Sequence, residues 1–169
     1  MRRRDEHLEI RRARREDIDA LLALEESVFA TDRLTRRSLR QFLASPSAIL
    51  IVATLDREVA GYALVLFRSG SKGSRLYGIA VARNAAGRGI GRTLLSTAEQ
   101  QSRERGCEAM SLEVGVQNQR AMDLYTRNGY RPIRKMPGYY SDGSDALRLG
   151  KTLTMPSASP DTAHKANSP

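Results

Sequence analysis

The stretch Tyr77–Leu95 is the sequence feature that most constrains how this chain can fold. It predicts an apolar strand, a short loop and a helix that begins directly after the loop. The loop contains three glycines and two arginines, which are Gly87, Arg88, Gly89, Gly91 and Arg92. Glycines let the backbone approach a ligand closely, and the first N–H groups of a helix have no partner inside that helix. Because arginines add forked donors for phosphate oxygens, the stretch predicts a site for a phosphorylated cofactor.

The same stretch excludes two common nucleotide-binding motifs. A dinucleotide-binding motif would place its third glycine at position 92, which is Arg92, and it normally follows the first strand of a βαβ unit. Here a predicted hairpin comes before the loop. A phosphate loop of the Walker type needs Gly-Lys-Ser/Thr after the glycines, and the chain has none there. A surface loop rich in Gly and Arg would give the same letters, so the loop alone does not define a function.

The rest of the chain predicts an α/β domain with a mixed sheet. Apolar runs and alternation predict strands at 8–13, 48–55, 58–67, 74–81, 109–116, 130–136 and 145–153. Helical spacing of apolar residues predicts helices from 16 or 17 to 29, and at 35–44, 91–105 and 118–127. The predicted elements do not alternate as in βαβ units, so the pattern favours a mixed sheet over a doubly wound parallel one.

Length and composition predict one domain with two unstructured ends. A chain of 169 residues is long enough for one proper core. We expect a flexible basic arm at 1–7, the domain at 8–153 and a disordered tail at 154–169, which has few apolar residues. No apolar run is long enough to span a bilayer, and the single cysteine, Cys107, suits a cytoplasmic location. The two histidines lie near opposite ends of the chain, so no metal site is predicted.

The charge balance favours acidic ligands without choosing among them. The formal net charge is +9 and comes mostly from arginine. Nucleic acid, a polyphosphate cofactor or an acidic peptide would each suit such a chain. The alternative is a solvated basic surface with no specific partner.

Three ordered segments together resemble the GNAT superfamily of acetyl-CoA-dependent N-acetyltransferases. They are Tyr77–Leu95, Ser111–Tyr130 and Gly138–Leu149. Within the superfamily, the chain is most similar to ribosomal-protein alanine N-acetyltransferases and other enzymes that modify protein N-termini. The resemblance spans residues 8–153. It implies the GNAT fold, a mixed and mostly antiparallel sheet with a V-shaped splay between the fourth and fifth strands, flanked by about four helices.

The resemblance also implies acetyl-CoA as a co-substrate. The backbone of Ile79, Ala80 and Val81 would hold its pantetheine arm, and amides of the loop would hold its pyrophosphate. The implied loop residues are Gly87, Arg88, Gly89, Ile90, Gly91 and Arg92. Asn118 matches a position that contacts the pantetheine region, although a plain helix cap would also explain an asparagine there. The family pattern has Gln or Arg where this chain has Ala86, so neighbouring groups must compensate for a missing side chain.

Two residues match the catalytic positions of the family. Glu113 falls where N-terminal acetyltransferases have a general base, which is needed because a protonated amine has no lone pair for attack. Its alternative is an ordinary solvated glutamate on a strand. Tyr125 falls on the general-acid position, and a phenol with a pKa near ~10 stays protonated at neutral pH. The alternative explanation of Tyr125 is that its ring is half buried by packing, with Leu124 as the core residue of the helix.

The implied acceptor is a primary amine, most simply the α-amine of a protein or peptide. Tyr139 and Tyr140 match a tyrosine pair that shapes the peptide slot, and Phe29 is a further candidate contact. The region Phe29–Leu34 lacks the Phe-Pro-Trp-like segment of the bacterial ribosomal enzyme, so alanine specificity is not implied. The alternatives are lysine side chains, a small-molecule amine, or a non-catalytic basic module that binds RNA or ribosomes. We expect no membrane partner, disfavour nucleic acid as a partner, and expect a monomer or homodimer.

Overall fold

The computed structural model describes residues 6–153, which form seven strands and four α helices. The strands are β1 (Leu8–Arg12), β2 (Ala48–Leu55), β3 (Glu58–Phe67), β4 (Gly73–Val81), β5 (Ala109–Gly115), β6 (Arg131–Met136) and β7 (Ala146–Thr152). The helices are α1 (Ile18–Val28), α2 (Arg36–Ala44), α3 (Ile90–Glu104) and α4 (Gln119–Arg127). All predicted strands and helices are present, with ends shifted by two residues at most. The predicted tail and residues 1–5 of the predicted arm lie outside the described residues.

The strands form one mixed sheet in the order β1-β2-β3-β4-β5-β7-β6. Every neighbouring pair is antiparallel except β4 and β5, which run parallel. The connection between those two strands is α3, as expected because parallel neighbours need a crossover. This arrangement confirms the predicted α/β fold with a mixed, mostly antiparallel sheet.

The sheet opens into a V between its two parallel strands. β4 and β5 pair only from Gly73 to Leu76 on one side and from Ala109 to Leu112 on the other. Beyond that point β4 pairs only with β3, and β5 pairs only with β7. Within residues 6–153, the edges of β4 and β5 that face each other therefore have no partner strand beyond this point. This is where the splay was expected. The V-shaped splay of the GNAT fold is confirmed.

Helices cover the sheet unequally on its two faces. Helix α3 packs on one face, where Leu94 and Leu95 join a core that includes residues of β2 to β5 and β7. Helices α1 and α2 pack on the other face, against a second core formed with β2, β3 and β4. None of the helices formed by residues 6–153 is long and apolar enough to cross a membrane.

Two predicted core positions are wrong. Tyr125 on α4 is buried in the core, with 6% of its surface exposed. Leu124 on the same helix is only partly buried, at the edge of that core. Helical spacing allows either residue to face inward, and the docking of α4 selects the tyrosine. In the strand predicted at 109–116, apolar alternation predicts that Leu112, Val114 and Val116 all point inward, but Val116 is 39% exposed. The reason is that β5 ends at Gly115, so the strand alternation stops before Val116.

Candidate active site

A pocket of about 570 Å³ lies at the open V of the sheet, and we call it the central pocket. The α1–α2 connection forms one wall, and the β6–β7 connection forms another. Seven of the residues singled out from the sequence line it, namely Phe29, Ile79, Glu113, Asn118, Tyr125, Tyr139 and Tyr140. The other predicted residues, Ala80, Val81 and the stretch from Gly87 to Arg92, do not line this pocket. They lie at the end of β4 and at the start of α3.

The glycine loop has the geometry of an anion site. Gly87 has a φ of 81° and Gly89 a φ of 74°, which is the left-handed region that favours glycine. A Cβ atom at either position would meet nothing within 4 Å, so the backbone conformation and not crowding requires glycine. Gly89 is the N-cap of α3, and the first intrahelical bond runs from the Thr93 N–H to the Gly89 carbonyl at 3.1 Å. The N–H groups that precede Thr93 in the helix therefore have no intrahelical partner.

Two details of this loop bear on phosphate binding. The Arg88 guanidinium forms an ion pair with Glu6 at 2.6 Å, so its side chain already has an acidic partner. Ala86 follows a short 3₁₀ turn, and its N–H donates to the Arg83 carbonyl at 3.3 Å. The backbone amides at the start of α3 are consequently the main anion-binding groups that the loop offers.

Glu113 is not the solvated strand glutamate of the alternative explanation. Its side chain is only 4% exposed and lies between two arginines of neighbouring strands. Arg75 donates from Nε to one carboxylate oxygen at 2.9 Å, and Arg148 donates to the other at 2.8 and 3.1 Å. Burial lowers the pKa of Arg75, but the hydrogen bond and charge of Glu113 outweigh it, so the net shift is upward. Glu113 is thus a fixed carboxylate at the pocket wall.

Tyr125 presents its hydroxyl to the pocket from a buried ring. The ring packs edge-on against Tyr130 with centroids 5.8 Å apart. Burial, with a smaller contribution from Tyr140, raises the pKa of Tyr125, so its phenol stays protonated at neutral pH. No hydrogen-bond partner for this hydroxyl exists among the described residues. The site therefore holds a proton donor whose position is fixed by packing.

Asn118 caps α4 at the edge of the pocket. Its side-chain oxygen accepts a hydrogen bond from the Ala121 N–H at 3.2 Å. The capping role, offered from the sequence as the alternative to cofactor contact, is therefore present. Asn118 also lines the pocket, and its amide nitrogen is free of the cap. The two roles are compatible.

Glu25 is a pocket residue that sequence reasoning missed. It is 2% exposed, accepts a hydrogen bond from the Leu34 N–H at 2.7 Å, and accepts a second from the Tyr62 hydroxyl. Burial raises the pKa of Glu25, and these two hydrogen bonds only partly offset that effect. A signal was present in the sequence, since Glu25 lies four residues after Leu21 on the apolar face of α1. The pocket therefore contains a second buried carboxyl group.

The tyrosine pair lies where the sequence predicted, between β6 and β7. The rings of Tyr139 and Tyr140 meet edge-on with centroids 5.0 Å apart, and burial raises the pKa of Tyr140 to about 12. Arg75 donates to the Tyr139 hydroxyl at 2.7 Å. On the same connection, the Ser141 hydroxyl donates to the Asp32 carboxylate at 3.0 Å and so links the two walls of the pocket. Asp32 has a φ of 55°, a strained value for a residue other than glycine.

Comparison with known proteins identifies the family. Residues 15–130 match the model of the acetyltransferase (GNAT) family. An uncharacterized N-acetyltransferase of Methanocaldococcus jannaschii is 34% identical over 143 residues, which cover 84% of this chain and 90% of that protein. An N-alpha-acetyltransferase of Sulfurisphaera tokodaii is 28% identical over 155 residues, which cover 85% of this chain and 92% of that protein.

Solved structures share the fold. The ribosomal-protein-S18-alanine N-acetyltransferase of Escherichia coli matches with a TM-score of 0.79 at 22% identity, covering 90% of this chain and 98% of that one. At this identity the match shows a common fold and no more. The family model nevertheless covers well over half of the chain, and its relatives match it almost end to end. The chain therefore belongs to the acetyltransferase (GNAT) family and is an N-acetyltransferase.

Proposed function

We propose that the chain transfers an acetyl group from acetyl-CoA to the α-amine of a protein or peptide N-terminus. One observation carries the proposal most. Glu113 and Tyr125 both line the central pocket at the open V of the sheet, and the Tyr125 hydroxyl has no hydrogen-bond partner within residues 6–153. A base and an acid are the two groups that amine acylation by a thioester requires.

The residues present fit acetyl-CoA. The edges of β4 and β5 that lack partner strands could hold an extended pantetheine arm, with Ile79, Ala80 and Val81 on one side and Asn118 nearby. The amides at the start of α3 suit the pyrophosphate, because a helix N-terminus with left-handed glycines before it attracts anions. When bound, acetyl-CoA supplies the acetyl group as a thioester.

The proposed mechanism assigns one proton transfer to each catalytic residue. Glu113 accepts a proton from the acceptor ammonium, directly or through one water, and so frees the lone pair for attack. A backbone N–H near Val81 stabilises the developing oxyanion. As the C–S bond breaks, Tyr125 donates its proton to the departing sulfur, and the acylated nitrogen gives up its remaining surplus proton, which restores the phenol. Both residues line the central pocket, which supports a role for both on one acceptor amine.

Several observations favour an α-amine as the acceptor. At pH 7.4 an α-amine with a pKa of ~7.8 is about one quarter neutral, whereas a lysine at ~10.4 is only about one part in a thousand neutral. The Glu113 carboxylate suits deprotonation of an α-amine, which is easier than deprotonation of a lysine. Tyr139, Tyr140 and Phe29 line the central pocket, and one relative is named an N-alpha-acetyltransferase. Lysine side chains and small amines are the alternative acceptors.

The compartment and the partner follow from the same proposal. We place the enzyme in the cytoplasm, in line with a single cysteine, Cys107, which is buried and free. Its partners are acetyl-CoA and a protein or peptide acceptor. The non-catalytic RNA-binding module considered from the sequence had the formal net charge of +9 as its support, and membership of the acetyltransferase family favours the enzyme.

Binding of acetyl-CoA should raise the melting temperature markedly. Saturation at about 100 times Kd adds about 2.7 kcal/mol to the free energy of unfolding. For a chain of this size that corresponds to a Tm shift of roughly 5–10 °C. Differential scanning fluorimetry with millimolar acetyl-CoA measures the shift, with acetate as the control ligand. An unchanged Tm would contradict acetyl-CoA as the ligand of this chain.

A matched pair of glycine variants tests the phosphate loop. Gly89→Ala and Gly70→Ala both place a side chain at a φ near 75° with open space around it, so both should lower the free energy of unfolding by about 1 kcal/mol. Only Gly89 begins α3. We expect Gly89→Ala to raise the KM for acetyl-CoA roughly tenfold, the equivalent of one hydrogen bond to a charged group, and Gly70→Ala to leave it unchanged. Equal KM values in steady-state kinetics would refute the assignment of the loop.

A further inference from the structure

Three arginines form a row that begins at the central pocket and crosses the strands of the sheet. They are Arg75, Arg148 and Arg134, and we call them the arginine strip. Arg148 on β7 pairs directly with Glu113 on β5 and with Arg134 on β6. Directly paired residues project from the same face of a sheet. Arg75 reaches that face too, because its Nε donates to the Glu113 carboxylate at 2.9 Å. The strip therefore runs from β4, at the pocket wall, to β6, at the sheet edge.

The arginine strip has more positive than negative charge. Glu113 is the acid that contacts it, and it is buried under Arg75 and Arg148, whose side chains are 41% and 36% exposed. Among residues 6–153, the Arg134 guanidinium makes hydrogen bonds only with the Met136 sulfur, at 3.3 and 3.4 Å. The nearby Asp145 carboxylate pairs instead with Lys135 and with the Gly138 N–H. The Glu113 carboxylate thus contacts two of the three guanidinium groups and offsets only part of their charge.

Helices leave this part of the sheet open. The core beneath α1 and α2 contains residues of β2, β3 and β4 but none of β5, β6 or β7. Helix α3 packs on the opposite face, where Glu99 pairs with Lys151 of β7. Within residues 6–153, the Glu113 face of β5, β7 and β6 therefore has no helix to cover it. Solvent and ligands can reach the free guanidinium N–H groups.

We propose that the arginine strip binds acidic side chains in the acceptor, among the residues that follow its N-terminal amine. The inference rests on the proposed function, because it assumes that the α-amine enters the central pocket. Arg75 lines that pocket and also belongs to the strip, so the two surfaces are continuous. Carboxylates match the fork of N–H donors that arginine presents.

The dimensions fit a short stretch of extended peptide. Neighbouring strands lie about 4.8 Å apart, so the strip covers about 14 Å from β4 to β6. An extended peptide rises about 3.3 Å per residue and crosses this distance in about four residues. Side chains alternate along an extended peptide, so acidic side chains at two of positions two to five of the acceptor would face the strip. Because Glu113 already neutralises part of the charge near the pocket, the contribution should be largest at Arg148 and Arg134.

The test compares two acceptor peptides that differ only in charge. One has Ala followed by four Glu residues, and the other has Ala followed by four Gln residues. We expect kcat/KM for the acidic peptide to exceed that for the neutral one by at least about tenfold at low salt. The ratio should fall roughly threefold or more in Arg148→Gln and in Arg134→Gln, and it should fall with added salt.

The ratio of the two peptides separates recognition from general damage, since loss of fold or catalysis lowers both rates equally. Arg37→Gln is the matched control, because it removes the same charge from an exposed position on α2. It should leave the ratio unchanged. Equal kcat/KM values for the two peptides in the wild type, or an unchanged ratio in both strip variants, would overturn the inference. Failure to acetylate either peptide would instead refute the proposed function.

Discussion

Replacement of Tyr125 with phenylalanine should lower kcat by roughly 10²-fold or more, the usual contribution of a general acid. The variant removes one oxygen and keeps the ring, so the edge-on contact with Tyr130 and the packing of α4 should persist. The hydroxyl has no protein partner among residues 6–153, so its loss leaves no donor or acceptor unsatisfied in the core. We therefore expect the free energy of unfolding and the KM for acetyl-CoA to change little. Steady-state kinetics and thermal melting measure both properties.

Tyr130→Phe is the matched control, since Tyr130 is a neighbouring buried tyrosine that does not line the pocket. Its hydroxyl donates to Glu99 at 3.0 Å, so its loss should cost about 1 kcal/mol of stability. The kcat of this variant should stay within about twofold of the wild type, because the Tyr130 hydroxyl donates to Glu99 and Tyr130 does not line the central pocket. Tyr125→Phe is thus expected to lower the rate with little change in stability, and Tyr130→Phe to lower stability with little change in the rate. Equal kcat values in both would rule out Tyr125 as the acid.

Replacement of Glu113 with glutamine should lower kcat/KM by roughly 10²-fold or more near neutral pH. The expected loss depends on pH because the base is needed only for a protonated acceptor. An α-amine with a pKa of ~7.8 is mostly protonated below that value and mostly neutral above it. The ratio of wild-type to variant activity should therefore be largest at about pH 6.5 and should shrink towards about pH 9.

The pH profile also distinguishes the base role from a positioning role. Glu113 holds Arg75 and Arg148, so its loss could displace both arginines and the tyrosine loop that Arg75 contacts. Such displacement would lower activity by a similar factor at every pH. A flat ratio across this pH range would therefore contradict the base assignment. Glu25→Gln is the informative comparison, because a pH-dependent loss there would make Glu25 the proton acceptor instead.

The sequence was sufficient for the fold because the relevant signals are local. The hairpin of β2 and β3 was predicted at Ala48–Leu55 and Glu58–Phe67, and the structure has the same bounds. Apolar alternation defines such strands within a few residues, and left-handed glycines mark their own turns. Gly106 is one example: it directly follows the helix predicted at 91–105, and it has a φ of 81° just after α3 ends.

The contacts of the site residues could not be predicted from local sequence signals. Glu113 was located by its position in a motif, but its two arginine partners come from β4 and β7, far away in the chain. Glu25 has its two hydrogen-bond partners on the α1–α2 connection and on β3. These contacts exist only after the sheet and helices are assembled. Residue types therefore indicated the chemistry, and tertiary packing determined which groups are buried, paired or free.

The most direct test of the proposed function is the position of the acetyl group on a single acceptor. A peptide with a free N-terminus and one internal lysine is incubated with enzyme and acetyl-CoA, and tandem mass spectrometry locates the modification. We predict acetyl transfer to the α-amine, with the lysine left free, and no transfer above the uncatalysed rate with Tyr125→Phe at the same enzyme concentration and time. Acetylation of the lysine side chain, with the N-terminus left free, would contradict the proposal.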